Sequence, residues 1–300
     1  MPVRNITIFR DPTPDGFINQ RYVFTMAKIA KESTDFSLEE FDDFMSELAL
    51  IAWKMAATWK HLNSYIIAEE ALIEAEKRKP PIESLDYQKL EYSQDLYFEL
   101  DGFLVQMKST LDYLAKLPRS IVGNSWPPIH FGDKGKRVLD ALKNNFPAKY
   151  ANTVPLIKMC ITEHQAWLQM AIVARDMINH YIQGGLDIKS TIVAKTTING
   201  EEGIIVPMWV DDLTLRAYLE IVWNNLVLLV EQFTIGFLSA RFKAGLGFIS
   251  NPQPRGSIIS PIQVMPDKAV EVTSQVLEFI RSRPQNQPSV ESDSDTAARD

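Results

Sequence analysis

The sequence predicts an all-α fold, a helical bundle of four to five long helices with one inserted β-hairpin. Three observations carry that expectation. Apolar residues recur at helical spacing over runs much longer than an ordinary strand. Start and stop residues bracket each run. After the central helix, about residues 188–210 change to an alternating period that reads as two strands, 188–197 and 204–210, joined through Asn199-Gly200, a strong hairpin signal.

Taken in order, residues 3–9 alternate and suggest a short strand, broken by Pro12 and Pro14. Residues 16–31 suggest a short helix. Ser37 with Glu40 has the spacing of a capping box and opens a long helix over 38–77, carrying Phe44, Leu48, Ile51, Met55, Trp59 and Leu62. Glu39, Glu40, Asp42 and Asp43 read as charge suited to a helix N-terminus rather than as metal ligands, because no histidine lies beside them. Pro80-Pro81 ends that helix. A second runs over 86–116 and Pro118 stops it. Residues 119–135, with Pro127, Pro128 and three glycines, read as irregular, and a short helix follows over 136–146.

The central helix spans 154–182, with Pro155 in its first turn and Gly184-Gly185 beyond its end. After the alternating stretch, Asp211-Asp212 opens the last long helix, to about residue 243. Glycines and prolines dominate 245–266. A modest helix covers 267–281, and residues 284–300 lack core-forming side chains and read as disordered.

The chain has 300 residues, 46% hydrophobic, enough for one large domain or one domain with an attachment. A net charge of −7 argues against a broad basic coat for duplex DNA while leaving room for a local basic pocket. The single cysteine, Cys160, excludes a disulfide framework within one chain and fits a reducing cytoplasm. Met1 to Asn5 lead to no long apolar run, so no secretory leader is expected. The most apolar run, 219–238, carries Asn224, Asn225, Glu231 and Gln232. It reads as a buried bundle helix, not a membrane span.

Most chemistries find no foothold. The four histidines, His61, His130, His164 and His180, form no i, i+4 pair, so no metal site is expected and no cofactor is implied. Gly245-Leu246-Gly247 lacks a strand-to-helix context for phosphate binding, and no Gly-x-Ser-x-Gly elbow occurs. His164 reads as structural. Trp53, Trp59, Trp167 and Trp223 sit at helical spacing from core positions and read as core.

What remains is the end of the central helix. With Arg175 as origin of a helical wheel, Arg175, Asn179, Gln165, Lys158, Asp176, Gln169 and His180 fill an arc of roughly 140°. Met159, Ala166, Met170, Ala174, Trp167, Ile178 and Cys160 fill the other side, the expected apolar face. Asp176 and His180 stand at i, i+4, a spacing that lets a carboxylate orient an imidazole. Arg175 and Asn179 share that spacing. Arg175 and His180 diverge on one helix, so a two-fold copy is needed to gather two of each around one cleft. Such a cleft suits a phosphodiester: guanidinium on the non-bridging oxygens, imidazole for proton transfer.

The Arg-x-x-x-x-His spacing of Arg175 and His180, with Asp176 after the arginine, resembles the signature of HEPN domains. The helix around Phe98 to Leu114 resembles the first helix of that family, and the likeness covers about residues 86–243. It implies a small all-α homodimer, a metal-independent endoribonuclease with Arg175 and His180 catalytic and Asp176 and Asn179 supporting. RNA is then the substrate, and a toxin–antitoxin or defence setting with an antitoxin protein as partner is the family's context. Within the same family, a non-catalytic module binding RNA, a nucleotide or a protein is the alternative, and a plain helical scaffold is a third. The expected organisation is a helical extension over 1–85, the HEPN-like bundle over 86–243 with its hairpin, a C-terminal segment over 244–283 and the tail.

Overall fold

The computed structural model describes residues 10–82, 93–180, 191–198, 201–210, 212–251 and 256–282; for residues 177, 179–180, 198 and 276–282 it describes the backbone alone. Within these residues the fold is all-α with small antiparallel strand pairs attached. The expected strand at 3–9 and the tail at 284–300 lie outside the described residues.

The chain enters through a turn at Pro14–Gly16 and a π-helical segment, Ile18–Phe24, that runs directly into α1, Thr25–Ser33. Helix α2, Leu38–Lys77, starts where the capping box placed it. Glu40 N–H donates to Ser37 Oγ at 3.2 Å and Ser37 N–H donates to Glu40 Oε2 at 2.8 Å. The same Glu40 carboxylate takes two bonds from Arg241, at 2.9 and 3.1 Å, and those bonds hold its pKa well down, at about 2. One side chain thus caps α2 and ties it to the segment after Leu238.

Helix α3, Gln94–Leu114, lies antiparallel to α2. His61 Nδ1 meets Glu99 Oε2 at 2.7 Å, and Lys54 donates to Gln106 at 3.3 Å. Gly102 sets the spacing between the two helices, since a Cβ there would lie 2.5 Å from the His61 ring. Pro118, expected only to stop α3, instead occupies the first turn of a short helix α4, Pro118–Val122. Helix α5 covers Lys136–Asn144 and α6 covers Val154–His180. Helix α7 covers Leu215–Leu238 and α8 covers Asp267–Ser282.

The four long helices close a ring in which α2 packs on α3, α3 on α6, α6 on α7 and α7 back on α2. One apolar core runs through it from Ile18 to Ile262, and both sides of the expected boundary near residue 85 contribute. Leu48, Ile51, Leu104, Met107, Ile161, Leu168, Leu226 and Phe233 are fully enclosed. Among the described residues, one helix, Leu215–Arg241, is long and apolar enough to cross a membrane. Inside the fold, 72% of its apolar window is buried.

Among the described residues, three strand pairs decorate the bundle. β1, Ala194–Ile198, pairs with β2, Glu201–Ile205, in a register that sets Ile198 opposite Glu201 across residues 199–200, themselves outside the described set. The second expected strand, 204–210, is in fact cut at Pro207. Its later half forms β3, Met208–Val210, and pairs with β4, Leu213–Thr214. Proline has no N–H for a ladder, so the break falls there. Asp211, expected with Asp212 to open α7, lies outside the described residues, and Asp212 does not cap the helix. Thr214 does, accepting from Ala217 N–H at 3.2 Å.

The glycine-rich stretch 245–266 also departs from expectation. It holds β5, Leu246–Ser250, paired with β6, Ile262–Pro266. At Gly247 a Cβ would lie 2.8 Å from Asp267 Oδ1 and 3.1 Å from Val270 Cγ2, so the glycine lets α8 sit close to β5.

Candidate functional site

Helix α6 carries the expected site, and its orientation differs from the one the wheel suggested. Ile157, Ile161, Leu168, Ala171, Ile172, Ala174 and Ile178 are buried. Met159, Met170 and Val173 are 53%, 50% and 42% exposed, and Ala166 between them is exposed as well. The expected apolar face is therefore split: Trp167, Cys160 and Ile178 face inward, whereas Met159, Ala166 and Met170 face out. The reason is tertiary. α3 and α7 both pack on α6, and together they fill the side on which Arg175 lies by helical position. The outward set, 159, 166, 170 and 173, recurs at i, i+7, i+11 and i+14 and makes one stripe along the helix.

Arg175 sits in the penultimate turn, near the C-terminal end of that inward face, with its side chain 29% exposed. Its Nη1 donates to Asp176 Oδ1 at 2.8 Å. The structure thus brings together Arg175 and Asp176, neighbours in sequence, where the i, i+4 spacing pointed to Asp176 with His180. The backbone of α6 extends through Asn179 and His180; the side chains of those two residues lie outside the described set. By spacing, residue 180 stands two turns after Val173, on the stripe side of the helix.

His164, halfway along α6, is fixed in the core. Trp167 Nε1 donates to His164 Nδ1 at 2.7 Å. An indole N–H is only a donor, so Nδ1 accepts and the ring proton belongs to Nε2, which donates to Gln232 Oε1 at 2.8 Å. Both ring nitrogens are used, and burial lowers the His164 pKa. The folded state resists a proton that the unfolded chain accepts below its ordinary histidine range near 6.5. Stability contributed by His164 is therefore full above about pH 6.5 and is lost as pH falls toward the depressed folded value. Thermal unfolding should show a melting temperature that declines as pH falls below about 6.5, with a slope flattened in His164→Gln. An unchanged slope would remove His164 from the acid response.

Cys160, one turn earlier, is buried, and desolvation pushes its thiol up to about 12, which makes it a poor nucleophile. Trp167 and Trp223 are buried as expected. Trp53 is not: it is 61% exposed on the outer face of α2. Among the described residues, no group of three His, Cys, Asp or Glu side chains converges to hold a metal ion.

Compared with family models, curated proteins and solved structures, the chain matches none.

Proposed function

We propose that the chain is a HEPN-like, metal-independent endoribonuclease that acts as a homodimer through α6. The observation that supports it is the end of that helix: a part-exposed Arg175–Asp176 pair in the penultimate turn, on a helix whose opposite, outward face carries a stripe of Met159, Ala166, Met170 and Val173. An exposed apolar stripe on a long helix is a surface that a second copy can cover, and two-fold pairing there doubles every group near the helix end. In the mechanism, a base takes the proton of a ribose 2′-hydroxyl. The 2′-oxygen bonds to phosphorus, the P–O5′ bond breaks, and an acid returns a proton to O5′. His180 of each copy serves as base or acid, and Arg175 holds the charge on the non-bridging oxygens. Buried Cys160 accords with a cytoplasmic setting, and an antitoxin protein is the partner this reading expects.

The test is single-stranded RNA incubated with purified protein in EDTA. Cleavage should fall by about 10²-fold or more in His180→Ala and in Arg175→Ala. Met170→Glu should shift the sedimenting species from dimer to monomer. Equal cleavage by His180→Ala sinks the mechanism.

One observation favours a second reading, a non-catalytic module of the same type. Asp176 already occupies the Arg175 guanidinium, and the arginine belongs to the inward side of α6. RNA bound without cleavage, and released by Arg175→Ala, is the result that selects it.

A further inference from the structure

A cavity of 330 Å³ opens between the N-terminal turn, the middle of α2 and the first half of α7. That size is near the lower end for small-ligand sites, roughly 300–1,000 Å³. Its walls are aromatic. Trp59 of α2 and Trp223 of α7 meet with ring centroids 5.4 Å apart and planes tilted by 51°, and Phe17 closes a third side. Two carboxylates line it, Asp15 and Glu220, and none of the described lining residues is lysine, arginine or histidine.

The rim is built rather than loose. Asp11 accepts from Thr13 N–H at 2.9 Å and from Asn19 N–H at 2.7 Å, so one carboxylate clasps both ends of the turn that carries Asp15 and Phe17. Asp15 itself takes a left-handed backbone, φ 55° and ψ 19°, a conformation uncommon outside glycine and one that gathers at binding sites. A π-helical segment follows at once, and such segments are also frequent at functional sites. Arg21 from that segment spans the wall: its guanidinium lies 5.3 Å from the Phe17 ring centroid and its Nη1 donates to Ser257 O at 3.2 Å, close to Gly256 on the opposite lip.

The geometry points to a binding site for a small alkylated ammonium ion. Aromatic faces attract a cation through their quadrupole, tryptophan most strongly, and desolvation strengthens the effect. Asp15 adds charge of the right sign, and Glu220, which also accepts from Arg216 Nε at 3.3 Å, adds carboxylate oxygens that disfavour phosphates and carboxylic acids. Apolar surface contributed by Leu62 and Ile66 suits N-methyl groups better than a bare ammonium, which would lose water without enough acceptors.

Choline and tetramethylammonium are the probes, titrated into the full-length protein by calorimetry. 3,3-Dimethyl-1-butanol, the neutral carbon isostere of choline, is the control, and ethanolamine tests the need for methyl groups. Saturable choline binding is expected, with the neutral isostere about 10-fold weaker or worse. Trp59→Leu should abolish binding. Glu220→Gln, at a half-exposed position, should weaken it while the melting temperature stays near that of the parent, which covers the case of a tryptophan variant that does not fold. Choline heats no greater than dilution, isostere binding equal to choline, or full affinity in Glu220→Gln and Trp59→Leu would each overturn the assignment. Ethanolamine binding as tight as choline would overturn its restriction to alkylated ions.

Discussion

Arg21→Ala should lower the free energy of unfolding by about 3–5 kcal/mol, the usual cost of stripping one partner from a buried ion pair. Arg21 Nε and Nη2 hold the two oxygens of Glu231 at 2.8 and 2.7 Å. The Glu231 side chain is wholly buried and that of Arg21 is 9% exposed. Burial pushes the Glu231 carboxyl up, and the guanidinium offsets only part of that rise. Without Arg21, the carboxylate has to stay charged in the core or bind a proton, and either costs stability. Glu231→Gln should cost a similar amount, because it strands a guanidinium instead. The double change Arg21→Met with Glu231→Leu should recover most of the loss, since a well-packed apolar pair avoids desolvating two ions. Urea midpoints of the four proteins check this. Single variants within about 1 kcal/mol of the parent would mean that water reaches the pair. The same variants bear on the cavity, because Arg21 also anchors the turn that forms its rim.

That pair also marks where reading the sequence stops. Its members stand 210 positions apart, on a segment read as a short helix and on a buried helix in which Glu231 interrupts an apolar run. That interruption is legible locally; its partner is not. Helix beginnings are the opposite case. Ser37 and Glu40 specify the start of α2 through bonds spanning three residues, so the signal lies within the segment it governs. Helix faces fall between these extremes. The wheel for α6 counted methionine as inward because it is apolar, yet Met159 and Met170 face outward. The direction in which α3 and α7 approach decides the buried side, and that direction is a property of the assembled bundle. Arg175 and Asp176 were legible as a candidate pair of charges; their mutual bond was not, because neighbours on a helix point about 100° apart and only long side chains close the gap. The cavity was missed for a related reason. Trp59 and Trp223 each look like core positions on their own helices, and only packing α2 on α7 brings the two rings together along one wall of a cavity.

Trp126→Ala should cost about 3–5 kcal/mol, as large-to-small changes at a buried aromatic do. Trp126 lies in the proline-flanked stretch that reads as an irregular loop, yet it is only 1% exposed, among the largest enclosed side chains of the protein. Its Nε1 donates to Ala115 O at 2.9 Å, which satisfies a carbonyl at the end of α3. Its ring stands edge-on to Phe237 of α7, with centroids 5.2 Å apart and planes at 80°, and Phe237 in turn packs on Phe146 and Phe233. The residue therefore joins the end of one bundle helix to the middle of the core through a loop. Removing it loses the transfer energy of the indole, leaves a void beside Phe237 and strands the Ala115 carbonyl. Trp126→Phe separates these effects: it keeps most of the volume and loses the hydrogen bond, so its cost should be about 1–2 kcal/mol for the bond plus a smaller packing loss. Guanidinium denaturation followed by circular dichroism measures both. If alanine and phenylalanine cost the same, the bond to Ala115 carries the stability; if phenylalanine is neutral, the aromatic cluster does. A loop that secures a core through one inward ring should also detach first. Native-state hydrogen exchange in Trp126→Ala should then show the amides of α4, bonded to Lys116 and Leu117 just beyond α3, exchanging well before those of α2.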